Sequence, residues 1–411
     1  MAAMGLQWVN GAEIADAEIL SKISHYDAYT RGVRRHLHQY PEVGGHEIAT
    51  VKYLKSELAE IGEFEIHDVP GSTGFYAILD TKRAGKTIGL RTDIDALPIK
   101  ESNLNGGGKP KLLVSKNIGT SQGCGHDGHM ATLLTTIRIL YDLRDRLSGK
   151  YVFIFEEGEE TNTGIRPMVA ALQGIDFDVI YGNHLLSSVP SGMIYVKEGS
   201  VTTGMAMLSF QVFGKGGHAS RPDLCVNPIF AAADILSSVA IAWNNQRDIT
   251  KVVTLGVTQI EAGEAWNVIP DSVYIGGTLR FFDWDAGVKA VELVKKVATD
   301  VAGAHGCRVR FGEKMTAQVP PVTNDAQAAA SARRLISALY PGRVTDDPQY
   351  NWYASETFAL YNRLCPTLFT FVGIQNPELG TTAGHHTAEF DIDEDALQYA
   401  IGAMVKFAIG Y

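Results

Sequence analysis

The chain up to residue 200 alternates between two hydrophobic periodicities. Between about Glu47 and Ile61, apolar side chains recur at helical spacing. Helices are also predicted from about Gly128 and near 165–173. The predicted strands are FYAILD (75–80), TIGLRTDID (87–95), YVFIF (151–155) and FDVIYGNHL (177–185). Strands that alternate with helices predict a mostly parallel sheet with helices on both faces, which is an α/β fold.

The middle of the chain follows a different order of strand, helix, strand, strand, helix and strand. Its segments are MLSFQVFG (207–214), 227–243, VVTLGVTQI (252–260), SVYIGGTLRFF (272–282), 284–303 and CRVRFGE (307–313). This order is typical of the split βαβ arrangement of a small ferredoxin-like α+β sandwich. The α/β pattern then returns, with TLFTFVG (367–373) as another central strand. We therefore predict one domain from residues 1–203 and 318–411, and an inserted domain from 204–317.

Composition narrows the classes of function. The length of 411 residues agrees with two domains. The net charge of −10 and the lack of a basic run argue against nucleic acid as a partner. No uncharged stretch approaches the length of a membrane span and no secretory signal is recognised, so no membrane partner is expected. Four widely spaced cysteines without a CxxC pair predict reduced thiols and a cytoplasmic location.

Residues that can bind metals occur in five loops that we expect at one edge of the predicted sheet. They are Asp93 and Asp95; Cys124, His126 and His129; Glu159 and Glu160; His184; and His385 with His386. In open α/β sheets, functional groups collect beyond the carboxyl ends of the strands. Thiolate, imidazole and carboxylate suit zinc, and imidazole with carboxylate also suits manganese, cobalt or nickel. The sequence therefore predicts a site for one or two divalent metal ions per chain.

Eight motifs occur in the order found in one hydrolase family. They are RTDIDALPI (91–99), GCGHDGHMA (123–131), the Glu159–Glu160 pair, GNHL (182–185), GKGGHASRP (214–222), NVIPD (267–271), GTLR (277–280) and HTAEF (386–390). Together they resemble the metal-dependent amidohydrolases that include hippurate hydrolase, the auxin-conjugate hydrolases and aminobenzoyl-glutamate hydrolase. The resemblance begins near Arg34, in RRHLHQYPEVGGHE, and runs nearly to the C-terminus. It implies a zinc-exopeptidase-like catalytic domain with two metals, and an inserted domain that acts as a lid and in dimerisation.

The resemblance also implies roles for individual residues. The implied metal ligands are Cys124, His126, Glu160, His184 and His386. Glu159 would be the general base, and His218, delivered from a partner subunit, would stabilise the oxyanion. Asn267 and Arg280 would contact the substrate carboxylate or the oxyanion.

Several of these residues also have a purely structural interpretation. Asp93 and His129 are expected to orient metal ligands, although Asp93 could equally cap a turn and His129 could pack under its loop. Asp127 is interpreted as a cap of the helix that follows it, without a catalytic role. His385 and His386 compete for one ligand position, and the spacing of the final motif favours His386.

The chain departs from the family pattern near the expected substrate. It has EEGEET (156–161) where QPAEEG is usual, so Glu156 and Glu157 add charge beside the site. The segment KNIGTSQG (116–123) replaces a short G-x-M-H-A and is expected to line the pocket. Ala388 stands where proline is common. These differences favour an unusual substrate.

The motifs predict an enzyme that hydrolyses a C–N bond in a small substrate bearing a carboxylate. The first hypothesis is cleavage of the amide of an N-acyl or N-aroyl amino acid by metal-activated water, with Glu159 as the base. The alternative is hydrolytic deamination of a small activated aromatic amine whose carboxylate Arg280 would hold. A catalytically dead metal-binding or assembly protein is disfavoured because both Glu159 and His218 are present. A homodimer or larger homo-oligomer is expected.

Overall fold

The computed structural model describes residues 14–411, which form two compact units. The first unit consists of the chain up to Gly199 together with Asn324–Tyr350 and Leu360–Tyr411. The second consists of Ser200–Thr323 and Asn351–Ala359. The short segment 351–359 joins the second unit through backbone contacts, among them a parallel bridge between Thr202 and Trp352.

Nine α-helices lie within the described residues. They are Asp16–His25 (α1), Asp27–Gln39 (α2), Ile48–Ile61 (α3), His126–Leu143 (α4), Ile165–Leu172 (α5), Pro228–Asn245 (α6), Trp284–Ala304 (α7), Ala326–Leu339 (α8) and Leu397–Gly410 (α9). The side chains of Asn227, Asp283 and Asp325 cap α6, α7 and α8 by accepting backbone N–H bonds from the first turn. Across residues 14–411, none of the helices combines the length and apolar character needed to cross a membrane.

The strands of the described chain fall into two main sheets and two short ladders. They are Glu65–Asp68 (β1), Phe75–Asp80 (β2), Thr87–Asp93 (β3), Lys150–Glu156 (β4), Val179–Pro190 (β5), Ile194–Tyr195 (β6), Gly199–Ser200 (β7), Gly204–Phe213 (β8), Gly217–His218 (β9), Val253–Ala262 (β10), Val268–Ile269 (β11), Ser272–Phe281 (β12), Arg308–Phe311 (β13), Ala317–Val319 (β14), Thr323–Asn324 (β15), Val344–Thr345 (β16) and Thr367–Gln375 (β17). The strands predicted from the apolar runs are therefore present, with ends that differ by a few residues.

The first unit is built on a mixed sheet of order β1-β2-β4-β3-β5-β17-β6-β16. Its central strands β4, β3, β5 and β17 are parallel neighbours, whereas β2 runs antiparallel to β4. Strand β17 is buried over nearly its whole length, as expected for a strand covered by helices on both faces. Parallel strands end at the same edge of a sheet, so the loops after β3 and β4 meet there. Helix α4 packs against β3 and against α2 and α9.

The second unit has the strand order β10-β12-β8-β13, with β14 also paired to β8, and its neighbouring strands are antiparallel. Strand β12 lies between β8 and β10, which is the arrangement of a split βαβ unit and confirms the fold expected from the sequence. Helices α6 and α7 pack on one another and on this sheet. Their apolar stripes, with Ile235 and Val291 fully buried, form the core with Phe210 of β8.

Candidate metal centre

A left-handed glycine turn delivers the first two candidate ligands. Gly125 has a φ of +86°, a conformation that a residue with a side chain adopts only with strain, and it directly precedes α4. Cys124 precedes the glycine and His126 is the first residue of the helix, and both are almost completely buried. Leu185 packs within 4 Å of the position that a side chain on Gly125 would occupy. The turn therefore holds a thiol and an imidazole away from water.

The implied ligands and the implied base lie together in one cluster of the first unit. Three groups each have all their ligand-type atoms within 4.8 Å of one another: Cys124–His126–His184, Cys124–Glu160–His386 and His126–Glu159–Glu160. Individual distances are 3.6 Å from Cys124 Sγ to His184 Nε2 and 3.1 Å from His386 Nε2 to Glu160 Oε1. The five ligand positions and the base position come from four separate segments of the chain, which the sheet edge brings together.

Hydrogen bonds fix the tautomers of the two buried imidazoles. Nδ1 of His126 lies 3.1 Å from both the backbone oxygen and Oδ1 of Asp95, so it must carry the proton. Nδ1 of His184 donates to the backbone oxygen of Leu185 at 2.7 Å. When either ring is neutral, its lone pair is therefore on Nε2, the atom that faces the cluster. Among the described residues, the buried Nε2 of His126 has no hydrogen-bond partner.

Asp93, Asp95 and His129 lie next to the cluster and form hydrogen bonds that orient it. Both ring nitrogens of His129 are engaged, because Nδ1 donates to Asp93 Oδ1 at 2.7 Å and Nε2 accepts from Leu185 N at 2.9 Å. Asp93 also accepts a bond of 2.8 Å from Arg91. Asp95 bonds His126 and accepts from the backbone N of Glu160 at 3.0 Å. These residues thus orient groups of the cluster, as second partners of metal ligands commonly do.

The two adjacent histidines of the final motif occupy different positions. His386 has a φ of +62°, and its backbone N donates to Gly123 O at 2.9 Å, which ties it to the cysteine turn. This conformation is uncommon for a residue with a side chain and turns the ring toward Glu160. His385 instead accepts from Ser187 N at 3.1 Å, and burial lowers its pKa to about 3.

The four glutamates at the end of β4 and in the loop that follows divide into two pairs. Glu156 accepts from Arg91 Nε at 2.8 Å and from the Tyr361 hydroxyl at 2.7 Å. Glu157 accepts from Thr73 N at 2.9 Å. Glu159 and Glu160 belong to the cluster. The extra acidic residues that distinguish this chain are therefore held by other parts of the first unit.

Electrostatics show that the cluster suits a cation. Burial, and then the charge of Glu160, raise the pKa of the Cys124 thiol well above its ordinary value. Burial alone would lower the pKa of His126, but Asp93, Asp95 and Cys124 raise it well above the ordinary value. Besides burial, both shifts reflect negative charge in the cluster, from Glu160 at Cys124 and from Asp93 at His126. A divalent ion would offset that charge and favour the thiolate, so the donor set fits a metal.

The candidate residues of the second unit are less enclosed. His218 lies in β9, which pairs with β11, and Asn267 O accepts from the neighbouring Ala219 N at 3.1 Å. Nδ1 of His218 accepts from Ser220 N at 3.2 Å, which leaves the proton on Nε2. Structure thus brings His218 and Asn267 side by side.

Arg280 lies within β12, with Thr254 and Met205 as its neighbours on the flanking strands. Its Nη1 is buried and has no hydrogen-bond partner among residues 14–411. Burial lowers its pKa. A half-buried guanidinium in this condition is ready to take up an anion.

Gly125 and not Asp127 occupies the N-cap position of α4, although Asp127 Oδ1 does accept from Gly128 N at 2.9 Å in the first turn. The other carboxylate oxygen of Asp127 pairs with Arg34 Nε at 2.8 Å and with His38 Nδ1 at 2.8 Å. His38 in turn contacts Glu101 at 2.9 Å. This buried charge network was missed. The signal that could have revealed it is the spacing of Arg34 and His38, which lie four residues apart on one face of α2.

Comparisons with known proteins agree with this geometry. The sequence profile of peptidase family M20/M25/M40 matches residues 89–409. N-acetylcysteine deacetylase of Bacillus subtilis is 34% identical over 381 residues, which cover 92% of this chain and 95% of that protein. IAA-amino acid hydrolase ILR1-like 4 of Arabidopsis thaliana is 30% identical over 394 residues, which cover 95% of this chain and 88% of that protein.

A solved structure gives the same result. The chain is similar to YxeP of Bacillus subtilis, described as a dinuclear metal binding peptidase of the M20 family, with a TM-score of 0.80 and 30% identity. The match covers 94% of this chain and 98% of YxeP. The family resemblance deduced from the motifs is therefore confirmed over most of the chain. This chain belongs to peptidase family M20/M25/M40 and is a metal-dependent amidohydrolase.

Proposed function

We propose that this enzyme cleaves the amide bond of an N-acyl or N-aroyl amino acid. The observation that carries the proposal is the cluster itself, in which a carboxylate suited to act as a base adjoins five metal-binding side chains. The names of two relatives, an N-acetylcysteine deacetylase and an IAA-amino acid hydrolase, support an acylated amino acid as the substrate.

The metal would be held by the side chains that resemblance and geometry both favour. They are Cys124, His126, Glu160, His184 and His386. Each of Cys124, His126 and Glu160 belongs to two of the three groups that contain the implied ligands, which supports two neighbouring ions that share this cluster. We propose zinc, manganese, cobalt or nickel, because the donors include a thiol, imidazoles and carboxylates. When bound, such ions supply Lewis acidity that polarises a carbonyl and activates water at neutral pH.

Glu159 is proposed as the general base. Glu159 is only about 9% exposed as a residue, so it is largely shielded from solvent. Of the three groups of implied ligands, Glu159 belongs to one and Glu160 to two, which favours Glu160 as the ligand and leaves Glu159 for proton transfer. Glu159 would accept the proton of the attacking water and deliver it to the nitrogen of the leaving amine.

Residues of the second unit are proposed to hold the substrate. The Nε2–H of His218 would donate to the carbonyl oxygen as negative charge develops on it, with Asn267 beside it. Arg280 would bind the substrate carboxylate, because its buried Nη1 lacks a hydrogen-bond partner within the described chain. A carboxylate is the anion that an amino-acid product necessarily carries.

The second unit is also proposed to serve as lid and dimerisation domain, corresponding to the predicted residues 204–317. Strand β10 lies at the edge of its sheet and exposes Val257 and Ile260. Helix α6 exposes Phe230 and Ile241. An unpaired strand edge next to exposed apolar side chains is the kind of surface that a second copy of the chain would cover. We also propose a cytoplasmic location, which suits four cysteines that carry no disulfide.

The test is metal content per chain together with product analysis. Purified enzyme is incubated with a panel of N-acetyl, N-benzoyl and N-indolylacetyl amino acids and with small carboxylated aryl amines. Amino-acid release with one or two divalent ions per chain is the expected result. Ammonia from the aryl amines alone would overturn the amide substrate in favour of deamination, and protein that binds no divalent ion would contradict the metal centre.

A further inference from the structure

We propose that a buried charge network positions the His386 loop against the cysteine turn and thereby sets the affinity of the metal centre. The network consists of Arg34, His38, Glu101, Lys111 and Asp127. The proposal rests on the proposed metal centre, but none of the five residues is a proposed ligand or base. They would act as positioning residues.

One end of the network contacts Asp127, in the first turn of α4. Asp127 follows the proposed ligand His126, and its Oδ2 lies 2.8 Å from both Arg34 Nε and His38 Nδ1. The other ring nitrogen of His38 lies 2.9 Å from Glu101 Oε1. Both ring nitrogens of His38 face carboxylates, so the ring bridges Asp127 and Glu101, and Arg34 Nη2 also lies 3.1 Å from Nδ1.

The other end of the network reaches the loop that carries His386. Glu101 Oε1 pairs with Lys111 Nζ at 2.9 Å, and the Lys111 side chain is only 1% exposed. Lys111 Nζ also donates to the backbone oxygen of Ala388 at 3.0 Å, and Ser102 N donates to the same oxygen at 2.9 Å. Ala388 lies two residues beyond His386. A continuous chain of buried polar contacts thus joins the residue after one proposed ligand to the loop of another.

Two glycines bring the same segment into close contact with residues 380–383, which precede His386 in its loop. A Cβ on Gly106 would lie 2.5 Å from Ala383 N, and one on Gly107 would lie 2.6 Å from Gly380 Cα. Gly107 N donates to Gly380 O at 3.0 Å. Only residues without side chains allow this close approach of two backbones. Two separate features therefore hold residues 101–111 against the loop that presents His386.

The buried charge network is better suited to positioning the His386 loop than to stabilising the fold. A buried ion pair generally adds little stability compared with apolar side chains of similar size, because the charges must be dehydrated. It does impose a defined geometry. His386 needs such support, because its positive φ is strained. Loss of groups that orient metal ligands typically weakens metal binding by about 10- to 100-fold.

The experiment measures metal affinity in Lys111→Met. Metal-free protein is titrated with Zn²⁺ against a chelating indicator, and the Co²⁺ form is examined by absorption for its thiolate band. We expect Lys111→Met to weaken at least one binding step by about 10-fold or more. The matched control is Lys109→Met, since Lys109 also donates to the same loop, at Glu378 O, but is exposed. The control should stay within about 2-fold of wild type, as expected when no ligand is reoriented.

A double variant separates the loss of the hydrogen-bonded connection from the loss of charge balance. Lys111→Met alone leaves Glu101 with less compensation, whereas Glu101→Gln with Lys111→Met removes one charge of each sign. Weak metal binding that persists in the double variant supports positioning. Recovery of affinity in the double variant, or wild-type affinity in Lys111→Met, overturns it.

Folding and substrate are controlled separately. If Lys111→Met does not fold, as judged by thermal unfolding, the same titration is made with Glu101→Gln, which keeps the shape of the side chain; weaker binding supports the proposal and unchanged binding overturns it. Wild-type protein that binds metal but cleaves no amide contradicts the proposed substrate and not the network, because the titration uses no substrate.

Discussion

The two units hold their candidate residues in opposite ways. In the first unit, the two buried imidazoles of the cluster are fixed by other groups: Asp95 holds His126, and the backbone of Leu185 holds His184. In the second unit, His218 is exposed and Arg280 has a buried Nη1 without a hydrogen-bond partner among the described residues. The metal centre is thus preorganised, whereas the second unit keeps its polar groups available for a ligand. Variants in the two units should therefore differ in what they change.

The largest effect is expected from Glu159→Gln. Removal of the base should lower kcat by about 10³-fold while metal content and unfolding temperature stay unchanged, because the amide keeps the shape of the side chain. The measurements are steady-state kinetics and metal analysis. The control is Glu157→Gln, which alters a residue bonded to Thr73 and should lower stability more than turnover. Normal turnover of Glu159→Gln would refute its role as base.

His218→Ala should lower kcat by about 10²-fold, the typical cost of losing one oxyanion donor. Its unfolding temperature should not change, since the side chain is exposed. Mixing this variant with Glu159→Gln tests whether His218 acts across subunits. Hybrids with restored activity would support a shared site; inactive hybrids, once their mixed composition is verified, would place His218 and the base in the same chain.

Variants of two arginines, one in each unit, test the difference between the units most directly. Arg280→Met should raise KM by about 10- to 100-fold, which corresponds to the loss of one or two hydrogen bonds to a charged group. Its free energy of unfolding should stay the same or rise, since the variant removes a half-buried cation whose Nη1 has no hydrogen-bond partner among the described residues. Substrate analogues with the carboxylate blocked should not distinguish it from wild type.

Arg34→Met should do the reverse. It leaves Asp127 buried with less compensation, so the free energy of unfolding should fall by about 3–5 kcal/mol. Chemical denaturation followed by circular dichroism measures this change. Equal effects of Arg34→Met and Arg280→Met on stability would remove the distinction between the two units.

The smallest effect concerns acid stability. Asp127 has a folded pKa of about 2 against an ordinary 3.8, so its contribution is fully present above about pH 4 and is lost as the pH falls toward 2. The contribution is at most about 2 kcal/mol. The gap in unfolding free energy between wild type and Asp127→Asn should therefore narrow from pH 4 to pH 2. A gap that is constant over this range would show that Asp127 is not held ionised by its partners.

Local patterns predicted the elements of both units well. The helical spacing between Glu47 and Ile61 matches α3, and FYAILD matches β2. The reason is that periodicity depends only on neighbours in sequence. The order of strands and helices in the insertion was also sufficient to predict its fold, because few arrangements bury such a pattern.

The partners of individual polar residues could not be predicted in the same way. Nothing local distinguishes Glu156, which accepts from Tyr361, from Glu160 in the cluster. The network from Arg34 to Lys111 likewise depends on contacts between distant segments. The order of the motifs identified the set of candidate ligands. Which partners each carboxylate contacts depends instead on tertiary packing.

The pairing of β5 with β17 has a consequence for how the protein is made. Strand β17 aligns Thr367 with Ile180, about 190 positions earlier in the chain, and the whole second unit is translated between them. Closing so long a loop is slow compared with forming local contacts. The second unit can therefore fold on the ribosome before β5 and β17 pair. Until then, the apolar edge of β5 that later binds β17 stays exposed. His386 is synthesised later still, so the complete set of proposed metal ligands exists only near the end of synthesis.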